Sequence, residues 1–116
     1  MNNITINFSH FFLYHKNFYT KMNQYFQSNS TVLFQGNSIT EWGRSETPIG
    51  TGYLGKTKAI YNALYPDSNI TFVNRGVGCD RIRNLLLRYQ KDILDIHPDF
   101  ISIMIGINDT MPNRTF

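Results

Sequence analysis

Three short apolar segments, each followed by a polar turn, constrain this chain more than any other feature of its sequence. They run from Thr31 to Gln35, from Ile70 to Val73 and from Phe100 to Ile105, and their length and composition are typical of buried strands. Helical patterns separate them, and strands that alternate with helices indicate right-handed βαβ crossovers and a parallel sheet. The sequence therefore predicts an α/β fold, a flavodoxin-like three-layer α/β/α arrangement whose polar turns all lie at one sheet edge.

The two segments between the strands have apolar residues at helical spacing. The first contains Tyr53, Leu54, Ile60, Tyr61 and Leu64, and we expect this helix to end near Pro66 because proline disfavours helix in the residue before it. The second contains Ile82, Leu85, Leu86, Tyr89, Ile93 and Ile96 and continues to Pro98, with Asp80 as a candidate N-cap. The third strand is apolar nearly throughout, which predicts that helices cover both of its faces.

Residues 1–30 differ from the rest in being rich in Asn, Phe and Tyr. Their aromatic residues fall near helical spacing and predict an amphipathic helix that leads into the first strand. Few basic residues accompany this stripe, so we favour packing on the domain over anchoring in a membrane. We therefore divide the chain into an amino-terminal extension, residues 1–30, and a domain over residues 31–116.

Composition narrows the classes of protein further. A chain of 116 residues fits one small domain, and its net charge of +3 comes from scattered Lys and Arg residues, which argues against nucleic-acid binding. Cys79 is the only cysteine, which excludes an intrachain disulfide and a cysteine-rich zinc motif. No secretory signal and no apolar run of membrane-spanning length is visible. We expect a cytoplasmic protein with no membrane span, no metal and no specific protein partner.

The three polar turns resemble, in order and spacing, the first three motif blocks of the SGNH or GDSL-type hydrolases, a family of serine esterases and lipases. The matching stretches are Val32-Leu33-Phe34-Gln35-Gly36-Asn37-Ser38-Ile39-Thr40, Val73-Asn74-Arg75-Gly76-Val77-Gly78-Cys79-Asp80 and Ile103-Met104-Ile105-Gly106-Ile107-Asn108-Asp109-Thr110. The resemblance covers roughly residues 31 to 112. It implies a partial hydrolase domain over residues 31–116, truncated to about three strands where family members have about five.

The resemblance also implies roles for individual residues. Ser38 matches the nucleophile, and the oxyanion hole would comprise the backbone N–H groups of Ser38 and Cys79 and the side-chain amide of Asn108. Gly36, Asn37, Gly78 and Asp109 are the supporting residues of these blocks. The mechanism needs neither a metal nor an organic cofactor. Purely local interpretations remain open, because serine and asparagine also favour turns and helix caps.

The sequence departs from the family pattern at three places. Cys79 stands where the family has its oxyanion glycine, which is strained if the position needs a positive φ, and Asn37 replaces the usual aspartate. The fourth block, Asp-x-x-His, is absent. We expect His97 at the opposite edge of the sheet from Ser38, and nothing in the sequence directs His10 or His15 toward that serine.

These patterns lead to two hypotheses of different classes. The first is a serine ester hydrolase that cleaves acyl esters of carbohydrates or lipids through Ser38, with a small acetylated sugar as the substrate we favour. The alternative is a catalytically inactive remnant, or a ligand-binding domain, that lacks the Asp-x-x-His block. A flavodoxin-like module that binds phosphate is a weaker third option, because the turns contain no complete phosphate-loop motif.

Overall fold

The computed structural model describes residues 26–111 and contains a parallel sheet of three strands. These are β1 (Thr31–Gly36), β2 (Thr71–Gly76) and β3 (Phe100–Met104), in the order β2-β1-β3. Gly36 lies opposite both Gly76 and Met104, so the strands end almost level. The α/β class, the parallel sheet and the common edge of the three polar turns are confirmed.

Three α-helices accompany the strands. A short helix α1 (Ser38–Glu41) follows β1, α2 (Tyr53–Leu64) precedes β2, and α3 (Ile82–Asp92) lies between β2 and β3. Two 3₁₀ turns, Leu94–Ile96 and Ile107–Thr110, flank β3. The helix predicted before Pro66 is confirmed, whereas the second helix ends well before Pro98 because its last apolar residues form the first 3₁₀ turn.

Helix α2 packs on one face of the sheet through aromatic residues. Val32, Ile70 and Phe72 form a buried cluster on this face. Tyr61 of α2 meets Phe72 edge to face, with ring centroids 5.6 Å apart, and Tyr53 meets Phe34 in the same way at 6.2 Å. Ring pairs in this geometry add to the stabilisation that burial alone supplies.

Helix α3 packs on the other face, where the side chains alternate with those of the aromatic face. Leu33 and Gln35 are fully buried. Arg88 of α3 donates to the backbone carbonyl of Arg75 at 2.9 Å, and its guanidinium lies beside the amide of Gln35. Helices on both faces of the sheet establish the three-layer arrangement that the sequence predicts.

Two expectations about this half of the domain are wrong. The residues of β3 are exposed, with Ile103 56% accessible, and among the described strands β3 lies at the edge of the sheet and pairs only with β1. Asp80 does not cap α3, since the N-cap is Arg81 and the Asp80 carboxylate binds Arg88 instead. Leu86 and Leu87 of α3 are also exposed.

The predicted helix of the amino-terminal extension, together with His10 and His15, lies outside the described residues, so the division at residue 30 stays a prediction. Phe26 is described, and its ring packs against Tyr61 and Phe100 with centroids 5.5 and 5.0 Å apart. Over residues 26–111, the helices are too short or too polar to cross a bilayer. The same stretch has no cluster of three or more side chains suited to holding a metal ion.

Candidate active site

Ser38 is the first residue of α1 and is exposed at the carboxyl edge of the sheet. Asn37 caps this helix from a buried position, and its side-chain oxygen accepts the N–H of Ile39 at 3.0 Å. The asparagine therefore supplies the acceptor that the family's aspartate would supply, without the charge. As the first helical residue, Ser38 has a backbone N–H with no carbonyl partner inside the helix.

Glycines allow α1 to lie directly on the ends of the strands. A Cβ on Gly36 would come 2.3 Å from the hydroxyl of Thr40, and one on Gly76 would come 2.3 Å from the N–H nitrogen of Glu41. Both distances are shorter than any tolerated contact, so a larger residue at either position would push the helix away. Gly36 thus supports the Ser38 turn through its lack of a side chain.

The second turn begins where β2 ends and contacts the first. The N–H of Val77 donates to the carbonyl of Gly36 at 3.0 Å, and the N–H of Asp80 closes the turn onto Val77 at 3.3 Å. Gly78 lies against Glu41, because a Cβ there would be 2.9 Å from the carboxylate. Cys79 is exposed and has a φ of 62°. That left-handed conformation favours glycine, so this cysteine is strained.

The third turn is tied to the second by side chains. Gly106 has a φ of 115° and starts the 3₁₀ turn that contains Asn108 and Asp109. The Asn108 amide nitrogen donates to the carbonyl of Asp80 at 2.9 Å. The Asp109 carboxylate accepts the N–H of Ile82, the first residue of α3, at 3.2 Å. Asp109 therefore fills the role at the start of α3 that we expected of Asp80.

A half-buried arginine lies beneath the first two turns. Arg88 binds the Asp80 carboxylate from two nitrogens, at 2.8 and 2.9 Å, and pairs with Asp92 one helical turn further on. It also donates to the carbonyl of Gly36 at 3.4 Å. A buried charge is tolerated only when it is paired and hydrogen-bonded. Arg88 meets that condition by joining the end of β1 to the second turn.

Asn74 holds α1 from the side of β2. Its buried amide nitrogen donates to the carbonyls of Thr40 and Ile49 at 2.7 and 2.8 Å, and its oxygen accepts the N–H of Gly76 at 2.9 Å. One side chain thus fixes the helix that carries Ser38, the loop after it and the end of β2. Asn74 belongs to the matched second block, but the sequence analysis assigned it no role.

His97 lies away from these turns, as expected. It ends the 3₁₀ turn before β3, at the amino end of the strand, with a φ of 51°. Nearby, the Asp99 carboxylate accepts the N–H of Thr31, the first residue of β1. His97 and Ser38 are therefore separated by the length of the sheet.

Arg88 and its carboxylate partners, which lie under the site, are not among the residues predicted from the motif blocks. Arg88 and Asp92 lie three and seven residues after Leu85, so all three share a helix face. That spacing, together with the polar Gln35 inside an otherwise apolar strand, was the available signal.

The sheet, its helices and the turns at its carboxyl edge define an α/β fold of the hydrolase type. No protein-family model matches the sequence. An acetylxylan esterase from Geobacillus stearothermophilus is 38% identical over 89 residues, which is 71% of this chain and 41% of the relative. The crystal structure of that bacterium's acetylxylan esterase superposes with a TM-score of 0.70 at 38% identity, covering 73% of this chain and 42% of that one.

A second solved structure is similar to the same part of the chain. An alpha/beta hydrolase from the metagenome of Lake Arreo, Spain, matches with a TM-score of 0.70 and 32% identity, over 75% of this chain and 44% of its own. These similarities show that the chain belongs to an esterase and hydrolase family, as its resemblance to SGNH-type enzymes predicts. The chain spans about two fifths of the length of these relatives.

Proposed function

We propose that this protein hydrolyses acetyl esters of carbohydrates, with Ser38 as the nucleophile. The observation that carries the proposal is the position of Ser38, exposed where β1 ends and beside a second and a third turn bonded to each other through Asn108 and Asp80. The similarity to an acetylxylan esterase supports the acetyl group and the sugar. Solved variants of that esterase described as catalytic mutants replace a serine, an aspartate or a histidine.

In this mechanism, the Ser38 hydroxyl oxygen attacks the acetyl carbonyl carbon, and the carbonyl electron pair moves to its oxygen. A general base takes the serine proton and delivers it to the sugar oxygen as the bond between that oxygen and the acetyl carbon breaks, so the sugar leaves as a free hydroxyl. Water, deprotonated by the same base, then attacks the acetylated serine and releases acetate. The backbone N–H groups of Ser38 and Cys79 and the amide of Asn108 are the proposed donors to the anionic oxygen. An amide nitrogen carries two hydrogens, so Asn108 can donate to Asp80 and to substrate together.

The general base is not among the residues that the structure places near Ser38. His97, the one histidine in residues 26–111, is at the opposite edge of the sheet. In the family that the chain resembles, the base is a histidine held by an aspartate in the Asp-x-x-His block, which this sequence lacks. The described turns contain only the proposed nucleophile and the proposed donors to the anionic oxygen.

The position of His97 favours a second candidate, a domain that binds an acetylated ligand without turning it over. The two candidates share the same turns and differ only in whether Ser38 is deprotonated. Binding without turnover would still need the donors around Asn108, because these recognise the acetyl oxygen.

The test measures acetate released from acetylated xylo-oligosaccharides and 4-nitrophenol released from 4-nitrophenyl acetate. We expect Ser38→Ala to abolish both activities and Ser45→Ala, which alters an exposed serine in the following loop, to retain them. Equal rates for the native chain and Ser38→Ala would refute Ser38 as the nucleophile. No turnover combined with saturable ligand binding would establish the second candidate instead.

A further inference from the structure

Trp42, the only tryptophan in the chain, follows directly after the helix that begins with Ser38. Its side chain is 69% exposed. Burying a tryptophan removes about 200 Å² from water and stabilises a fold by several kcal/mol, so an exposed indole forgoes most of that gain. The indole is therefore available to contact a ligand.

The backbone around Trp42 is firmly held. Its carbonyl accepts the N–H groups of both Thr51 and Gly52 at 3.1 Å. Two glycines make room for this contact, because a Cβ on Gly50 would come 2.4 Å from the Trp42 carbonyl and one on Gly52 would come 2.9 Å from the Trp42 Cβ. The loop after α1 is thus closed tightly against Trp42 while the indole is left accessible.

Trp42 is the C-cap residue of α1, one residue beyond the single helical turn that begins with Ser38. The Cα atoms of Ser38 and Trp42 therefore lie within about 10 Å of each other. Thr40, between them, points into the protein and is buried, whereas Ser38 and Trp42 are both exposed. An acyl group at Ser38 therefore leaves the rest of its alcohol within reach of the indole face.

We propose that Trp42 is a sugar-binding residue that stacks its indole on the C–H face of the pyranose ring whose acetyl group is presented to Ser38. The inference rests on the proposed function and extends it by naming the side chain that recognises the alcohol portion of the substrate. A flat, rigid aromatic surface with few rotatable bonds suits this contact, because little conformational entropy is lost on binding.

The single tryptophan makes the test direct. In the Ser38→Ala background, which prevents turnover, acetylated xylo-oligosaccharide is titrated into the full chain and tryptophan emission is followed. We expect a saturable change in emission. Calorimetry then compares Trp42→Ala with Tyr89→Ala, which removes an exposed aromatic side chain of α3. We expect Trp42→Ala to weaken binding about tenfold, equivalent to about 1.4 kcal/mol, and Tyr89→Ala to retain it.

Kinetics separate failure of this inference from failure of the proposed function. With Ser38 intact, Trp42→Ala is expected to lower kcat/KM for the acetylated oligosaccharide about tenfold relative to kcat/KM for 4-nitrophenyl acetate, which has no sugar ring. Ser38-dependent turnover with an unchanged ratio would overturn the role of Trp42 and leave the esterase intact. Sugar binding that depends on Trp42 without any turnover would retain the stacking site and refute catalysis. Unchanged emission at saturating oligosaccharide would overturn the inference, and circular dichroism confirms that each variant is folded.

Discussion

The side-chain amide of Asn108 donates a hydrogen bond to the backbone carbonyl of Asp80, with 2.9 Å between nitrogen and oxygen. This bond joins the turn after β3 to the turn after β2, which in turn contacts the end of β1 through Val77 and Gly36. The three polar turns are therefore one connected structure. A group held in this way needs little reorganisation when charge develops beside it, which is what an oxyanion-stabilising donor requires.

Replacing Asn108 tests that role with little change in shape. Asn108→Asp substitutes acceptor oxygens for the donor and places one of them against the Asp80 carbonyl. We expect acetyl ester hydrolysis to fall at least about 100-fold and the free energy of unfolding to fall by about 1–3 kcal/mol. Urea denaturation and initial rates measure the two effects. Asn62→Asp, at an exposed asparagine of α2, is the matched control. Equal losses of ester hydrolysis and of stability in the two variants would argue against Asn108 as a donor to the oxyanion.

Cys79 gives a prediction about backbone strain. At a φ of 62°, a residue with a side chain is disfavoured by about 1–2 kcal/mol, and glycine at this position would remove that strain. About 0.5–1 kcal/mol of the gain is lost again because glycine has greater conformational freedom in the unfolded chain. Cys79→Gly is thus expected to be as stable as the native chain or up to about 1 kcal/mol more stable. Cys79→Val, which is β-branched, should be clearly less stable. Equal urea midpoints for the Gly and Val variants would show that the left-handed turn does not form.

Arg88 gives a prediction about buried charge. Arg88→Met keeps the apolar stem but leaves the largely buried Asp80 carboxylate without the cation that binds it, and leaves Asp92 with only the Arg75 guanidinium, 3.6 Å away. Breaking a buried pair from one side costs about 3–5 kcal/mol. Arg83→Met removes the same charge from an exposed position on the same helix and should change stability little. Thermal unfolding of the two variants compares them directly, and a similar loss in both would mean that the network contributes only net charge.

The double variant Arg88→Met/Asp80→Asn extends this test. It removes the carboxylate charge that Arg88→Met leaves without a cation, so we expect it to recover part of the lost stability. Amide hydrogen exchange at Val77 reports on the contact between the first two turns, and it should be faster in Arg88→Met than in Arg83→Met. Unchanged exchange at Val77 would show that Arg88 does not maintain the contact between the first two turns.

Tyr61 links stability to alkaline pH. Burial raises the pKa of its phenol, and the neighbouring Tyr65 adds to the rise. The folded chain therefore holds this proton more tightly than the unfolded chain does. Its contribution is fully present below the ordinary tyrosine pKa of about 10 and is lost as pH rises through the folded pKa. Tyr61→Phe should reduce the loss of urea stability between about pH 8 and about pH 11. Tyr89→Phe is the control, and an identical pH dependence in both variants would contradict the cause.

The sequence was sufficient for the parts of the fold that depend on local pattern. The three apolar runs identify the strands because each is short and is followed by a polar turn. Pro66 limits α2 because the residue before a proline avoids helix. The condition under which Cys79 is strained was also foreseeable, since only a positive φ disfavours it there. Each of these features depends on residues that are close together in the sequence.

Features that depend on partners from distant segments could not be foreseen in the same way. Arg88 shares a helix face with Leu85 and Asp92, but that spacing does not identify the groups that it binds, which come from β1, β2 and the second turn. The apolar composition of β3 is typical of a strand buried on both faces, but it does not show whether a helix covers those faces. The prediction that both faces are buried is therefore wrong. Asp80 was a plausible helix cap by position, but Arg88 is the stronger partner for its charge.

Peptide mass spectrometry of the chain after reaction with 4-nitrophenyl acetate tests the central claim most directly. If the three turns form an acyl-transfer site, an acetyl group is found on Ser38 in the native chain and, at a lower level, on Ser38 in Asn108→Ala. In Ser38→Ala, acetylation of other residues stays at the background level. Acetylation confined to lysine side chains, at the same level in all three proteins, would contradict the account.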